Sequence, residues 1–217
     1  MIAPSNASPF SPDLLRCTVD TLQHVYAVNR DHTDPELGHD ETSHGVLLYK
    51  SINHFLPGAI AALPGVRSEI ESGSLRLVEG DRSFRCFRIG YSEFDDPWTS
   101  FPHNRGAAPA MAASNVEQLR LFEDLASGGE PAGLEYIVGH CGSWLRGLRA
   151  VHLCLPLGRA DERVRQWLSV RTIYRADADE SQGWQPVIVP EPPVRPTPEP
   201  TVRLRPTRKE VSHDGER

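Results

Sequence analysis

The chain has 217 residues and a formal charge of −6, a balance that disfavours general nucleic-acid binding, which needs a concentrated positive field. Its longest uncharged run, between Lys50 and Arg67, is broken by Asn53, His54, Pro57 and Pro64. That run falls short of the roughly 20 apolar residues a membrane span needs.

The last 32 residues, 186–217, hold eight of the nineteen prolines and few large apolar side chains. Such a segment cannot build a core. The expectation is one globular domain over 1–185, long enough to fold without staples, followed by a proline-rich disordered tail over 186–217. Cys17, Cys86, Cys141 and Cys154 form no Cys-x-x-Cys pair and lie in or beside apolar stretches, as free thiols do. The N-terminal stretch Met1–Pro9 lacks the basic and apolar regions of a signal peptide. A soluble, cytoplasmic protein is expected.

Ser11-Pro12-Asp13 is a helix start, combining a capping hydroxyl, a first-position proline and a carboxylate at the positive end of the dipole. Leu14, Leu15, Val19, Leu22, Val25 and Tyr26 then follow at helical spacing, predicting a helix over about 12–29. After a polar segment, Val46, Tyr49, Ile52, Leu56, Ile60 and Leu63 mark a second helix from Gly45. Pro57 should kink or divide it, and Pro64-Gly65 should end it.

The period then becomes two. Leu75 and Leu77 alternate with Arg76, and Phe87, Ile89 and Tyr91 with Arg88, so 74–91 reads as a hairpin turning at Gly80-Asp81. A long irregular stretch over 93–106 leads to a helix over 112–126, its apolar side drawn from Val116, Leu119, Phe122 and Leu125, with Gly128-Gly129 as its stop. Strands are predicted around 134–138, 151–155 and 165–175, with a last edge strand at Trp184 and Val187–Val189. Helix, helix, hairpin, helix and antiparallel meander make an α+β order.

Three clusters could carry chemistry. The segment 31–44 offers His39, Asp40 and His44 as metal ligands, although a five-residue spacing of the histidines does not suit one helical face. The same residues also read as a solvated connector, with Thr42 or Ser43 capping the next helix. The loop 93–105 sets Asp95, Asp96 and His103 among Phe94, Trp98 and Phe101, with Arg105 close behind. Apolar walls there could raise a carboxylate pKa for acid–base work, while the Asp-Pro and Phe-Pro steps could simply be turns. Gly139-His-Cys-Gly-Ser-Trp144 reads as a turn with Cys141 between glycines, short of a nucleophile elbow because Ser143 stands at the last glycine position. In the tail, Pro190–Arg195 matches Pro-x-x-Pro-x-Arg, a pattern polyproline-reading grooves dock and a stiff spacer shares.

Charge is uneven. Residues 1–145 carry 19 acids against 10 bases, whereas 146–175 carry seven arginines, among them Arg163, Arg165 and Arg171, against two acids. The leading expectation is therefore a non-catalytic protein that binds another protein through an acidic domain with a local basic face. Trp98, Arg105, Arg163, Arg165 and Arg171 would form that surface, with no cofactor. The alternative is a hydrolase holding a divalent metal ion on the 31–44 cluster with Asp95 or Asp96.

Overall fold

A computed structural model describes residues 8–71, 73–102, 106–124, 132–158 and 165–176. The first helix, α1 (Pro12–Asp31), starts as expected: Ser11 Oγ accepts the Leu14 amide at 3.3 Å, with Pro12 in the first turn. It buries Leu14, Leu22, Val25 and Tyr26. Thr18 shares that face because its hydroxyl donates back to the Leu14 carbonyl at 2.8 Å.

The second helix, α2 (Glu41–Ile60), begins four residues before Gly45. Asp40 is the cap, its carboxylate accepting the Ser43 amide at 2.8 Å, so Thr42 and Ser43 lie inside the first turn. The helix buries His44, Leu48, Ile52, Leu56 and Ile60, one residue in four. Pro57 does not divide it. The helix continues through Ile60, with the proline near its end where few ladder bonds remain to be lost.

Among the described residues six strands form one sheet in sequential order: β1 (Val66–Glu71), β2 (Ser74–Glu79), β3 (Arg82–Gly90), β4 (Glu135–Ser143), β5 (Gly147–Gly158) and β6 (Arg165–Arg175). The expected hairpin is β2–β3, with Gly80 supplying the positive φ of 62° at the turn. β1 was not legible as a strand. It pairs antiparallel with β2 along its length and, apart from the half-buried Val66, is exposed. β4, β5 and β6 form the expected antiparallel meander, and the hairpin joins it through a parallel pair, β3 and β4, connected by α3 (Ala108–Asp124).

α1 and α2 cover one face of the sheet, where Leu22, Val25, Leu56, Phe84, Val138 and Val151 share a core. The other face carries Met111 of α3 against Ile137, Cys154 and Trp167. α3 buries Ala108, Met111, Ala112 and Asn115, whereas Val116 and Leu119 are only half-buried. Asn115 decides that rotation. Its amide donates to the Glu135 and Pro156 carbonyls at 2.8 and 2.9 Å, and its carbonyl accepts the Glu135 amide at 2.8 Å. A satisfied buried amide fixes one orientation, because any other would orphan three polar groups.

Residues 139–143 continue β4, and the turn comes at 144–146. Two glycines make this possible. The Ile89 side chain fills the space a Cβ would take at Gly139, and the Tyr26 ring and the Gly147 carbonyl fill it at Gly142. Among the described residues no helix is long and apolar enough to cross a membrane, and all four cysteines are free. The stop at Gly128-Gly129, the strand at Trp184 and Val187–Val189, the boundary near 185 and the tail lie outside the described residues.

Replacing Asn115 by Ala should cost about 2–4 kcal/mol by stranding backbone groups of β4 and β5. Leu121→Ala on the exposed side of the same helix should stay within about 0.5 kcal/mol. Urea denaturation of the two variants checks the contrast.

Candidate functional site

A cleft of about 1340 Å³ is bounded by α2, β2, β3, the segment Ser100–Pro102 and α3. Its shape follows from how β3 is paired. The β2–β3 ladder covers only Leu77–Phe84, Val78–Ser83 and Glu79–Arg82, while β3 runs on to Gly90 paired with β4, its register shifting between Arg88 and Gly90. Every residue from Phe84 to Tyr91 lines the cleft. Successive strand residues point to opposite faces, so a cavity touching all of them passes around the strand's edge. The cleft is the wedge that opens where β2 leaves β3.

Side chains hold the wedge open. Arg85 donates to the Ser74 carbonyl at 3.0 Å and to the Glu71 carboxylate, and Tyr49 of α2 donates its hydroxyl to the Gly73 carbonyl. On the opposite wall Arg88 donates to the Glu41 carbonyl at 3.1 Å and pairs with its carboxylate. The same guanidinium lies 4.4 Å over the Tyr91 ring. In both pairs the acid is the outer partner: the Arg85 and Arg88 side chains are 3% and 11% exposed, those of Glu71 and Glu41 60% and 35%.

A buried polar layer lies behind Arg88. Tyr26 hydroxyl and His140 Nδ1 are hydrogen-bonded at 2.9 Å, and His44 Nδ1 meets Thr33 Oγ1 at 3.2 Å. Burial raises the Tyr26 phenol above its usual range. Burial, aided by the positive charge of Arg88, pushes His44 down to about 4.

The residues singled out from the sequence are largely occupied with local structure. His39 Nδ1 accepts the Asp34 amide at 3.0 Å. Asp40 is held below the ordinary carboxylate range by the Ser43 amide and hydroxyl it accepts in capping α2. His44 is fully buried. Among the described residues no group of three His, Cys, Asp or Glu side chains is placed to hold a metal ion.

Asp95 accepts the Tyr91 amide, and the Ser92 amide at 3.0 Å. The Ser92 bond leads in lowering its pKa, the reverse of the raised carboxylate the aromatic neighbours implied. Asp96 accepts the Trp98 amide at 2.9 Å. Cys141 is a strand residue whose burial, with the charge of Asp95, raises its thiol to about 12, far from an activated nucleophile.

The two polar segments do converge in part. Glu41 and Thr42 from the first, and Ser100, Phe101 and Pro102 from the second, line the same cleft, whereas His39, Asp40, Asp95 and Asp96 do not. The second loop is fastened at two points. Glu93 pairs with Arg149 of β5 at 3.1 Å, and Trp167 of β6 donates to the Pro97 carbonyl while its ring meets Phe101 at 4.6 Å.

Trp98 remains 55% exposed on this loop. Arg171 pairs with Leu153, whose side chain belongs to the α1–α2 core, so it faces away from the loop, which docks on Trp167. His103, Arg105, Arg163 and the Arg165 side chain lie outside the described residues.

Sequence reasoning missed Tyr49, Arg85 and Arg88 as cleft residues. A signal for Arg88 was present: it shares parity with Phe84 and Cys86, and a charge on the apolar side of a strand implies a buried partner. No family model, curated protein or solved structure matches this chain.

His44 makes the fold acid-sensitive with a definite sign. Its folded pKa, about 4, lies below the usual 6.5. Its neutral form therefore stabilises the fold above about pH 6.5, and that contribution fades as pH falls toward 4. His152, lowered by burial and by Arg175, acts in the same direction. Between pH 7 and pH 5 the chain should lose about 2 kcal/mol through His44. His44→Gln should flatten that part of the curve, as urea midpoints across the pH range will show.

Proposed function

We propose that this protein binds another protein without transforming it, and that the cleft beside β3 is where the partner is held. The observation that carries the reading is the continuous lining from Phe84 to Tyr91, which gives one strand's edge and both its faces to a single cavity. Large concave sites with apolar walls and a few convergent polar groups are where ligands collect.

The state of the reactive groups supports binding over catalysis. The Cys86, Cys141 and Cys154 thiols are raised to about 12 chiefly by burial, and Asp95 is spent on backbone amides. The arginines of the cleft are bonded to their own glutamates. The reading places the protein in the cytoplasm with a protein as its partner, and the net charge of −6 disfavours nucleic acid. Residues 186–217 serve as a proline-rich spacer in this picture. Relative to the basic strand residues first considered, the binding surface shifts to the wedge between β2 and β3.

A photo-cross-linking amino acid in place of Ala110, which is exposed and lines the cleft, tests the proposal in native cell extract. One protein should be captured, and Val46→Trp across the cleft should abolish its capture. The same residue at Leu121, outside the cleft, should capture none of it. Equal capture from both positions, or capture indifferent to Val46→Trp, would sink the proposal.

A further inference from the structure

We infer that the partner enters the cleft as an extended, basic segment that adds to β3 as a new strand. The inference rests on the cleft reading above and names the form and charge of what fills it.

The backbone supplies the first argument. The Ser83 amide donates to the Leu134 carbonyl, on the β4 side, at 3.2 Å. Alternation along the strand therefore turns Phe84 toward β2, and Cys86 after it the same way. Phe84 meets Leu77, but the β2 ladder has ended before Cys86 is reached. The peptide groups of Cys86 thus face the wedge where a ladder partner would lie. An extended chain gains affinity there from main-chain hydrogen bonds, as in strand addition generally.

The walls supply the second. A strand in this position presents its side chains alternately to Ile52 and Leu56 on the α2 side and to Phe101 and Met111 on the α3 side. Both walls offer apolar side chains, so apolar or β-branched residues suit both faces of the occupant. Beyond the β2 ladder, β3 runs on from Arg85 to Gly90, long enough for one short strand.

Charge decides the remaining chemistry. Glu71 and Glu41 stand outward of Arg85 and Arg88 on opposite walls of the wedge, and it is their carboxylates that an entering chain meets. A Lys or Arg at each end of the segment would complement them, whereas an acidic segment would be repelled.

The probe is the peptide acetyl-Lys-Val-Thr-Val-Thr-Val-Lys-amide, with versions N-methylated at all three valines or at both threonines. N-methylation removes the donors from one strand edge at a time. Binding is read by fluorescence anisotropy and by hydrogen exchange at the Cys86 amide. One methylated version should lose at least about tenfold in affinity, the equivalent of one to three backbone bonds, while the other binds like the parent. The Cys86 amide should become protected, and replacing both lysines by Glu should weaken binding about tenfold or more.

Equal binding by both methylated versions overturns strand addition and leaves the cleft reading standing, as does a parent peptide that fails to bind. Loss of the cleft reading itself would show in the cross-linking at Ala110, which does not depend on the peptide.

Discussion

The tip of the β1–β2 hairpin is held by side chains where a sheet would ordinarily use its backbone. Arg85 reaches from β3 to the Ser74 carbonyl and the Glu71 carboxylate, and Tyr49 reaches from α2 to the Gly73 carbonyl. A guanidinium at the end of its stem spans more than the roughly 4.8 Å between laddered strands, so β2 diverges from β3 as the tip is approached. The cleft, its two-faced lining and the outward position of the carboxylates all follow from that substitution. Both arginines are largely withdrawn from water, and breaking either pair would leave a charge buried without its counter-ion.

The two faces of the sheet are built differently. On the α1–α2 face, a mainly aliphatic core includes a polar layer in which Tyr26 pairs with His140 and Thr33 with His44, with Arg88 and Glu41 nearby. On the α3 face, one asparagine locks the helix to β4 and β5. β3 lies where these arrangements meet, and its pairing sets the relation between α2 and α3 across the cleft.

How much of this was legible in the sequence varied with how local its cause was. Ser11-Pro12-Asp13 announced α1 because capping is a contact among neighbours. Asp40 lost to Thr42 and Ser43 as the expected cap because all three suit the role, and only the backbone of Asp40 is extended. β1 carries no alternating apolar signal because it is an edge strand with a largely exposed surface. Gly139 and Gly142 suggested a turn, but they serve strand packing against residues 50 or more positions away for Ile89 and Tyr26. The cleft was the least legible feature, since no local pattern says where a ladder stops.

The buried thiols have a practical consequence. Cys86, Cys141 and Cys154 are raised to about 12 in the folded chain, where only a minute fraction is thiolate at neutral pH. Cys86 and Cys141 belong to adjacent strands that pair parallel, and Cys154 to the strand beyond. Cys141 and Cys154 are buried, so their modification by an alkylating reagent must wait for the sheet to open, which makes its rate a clock for that opening. The chain carries its own reporter of breathing in the middle of the sheet, with no label added.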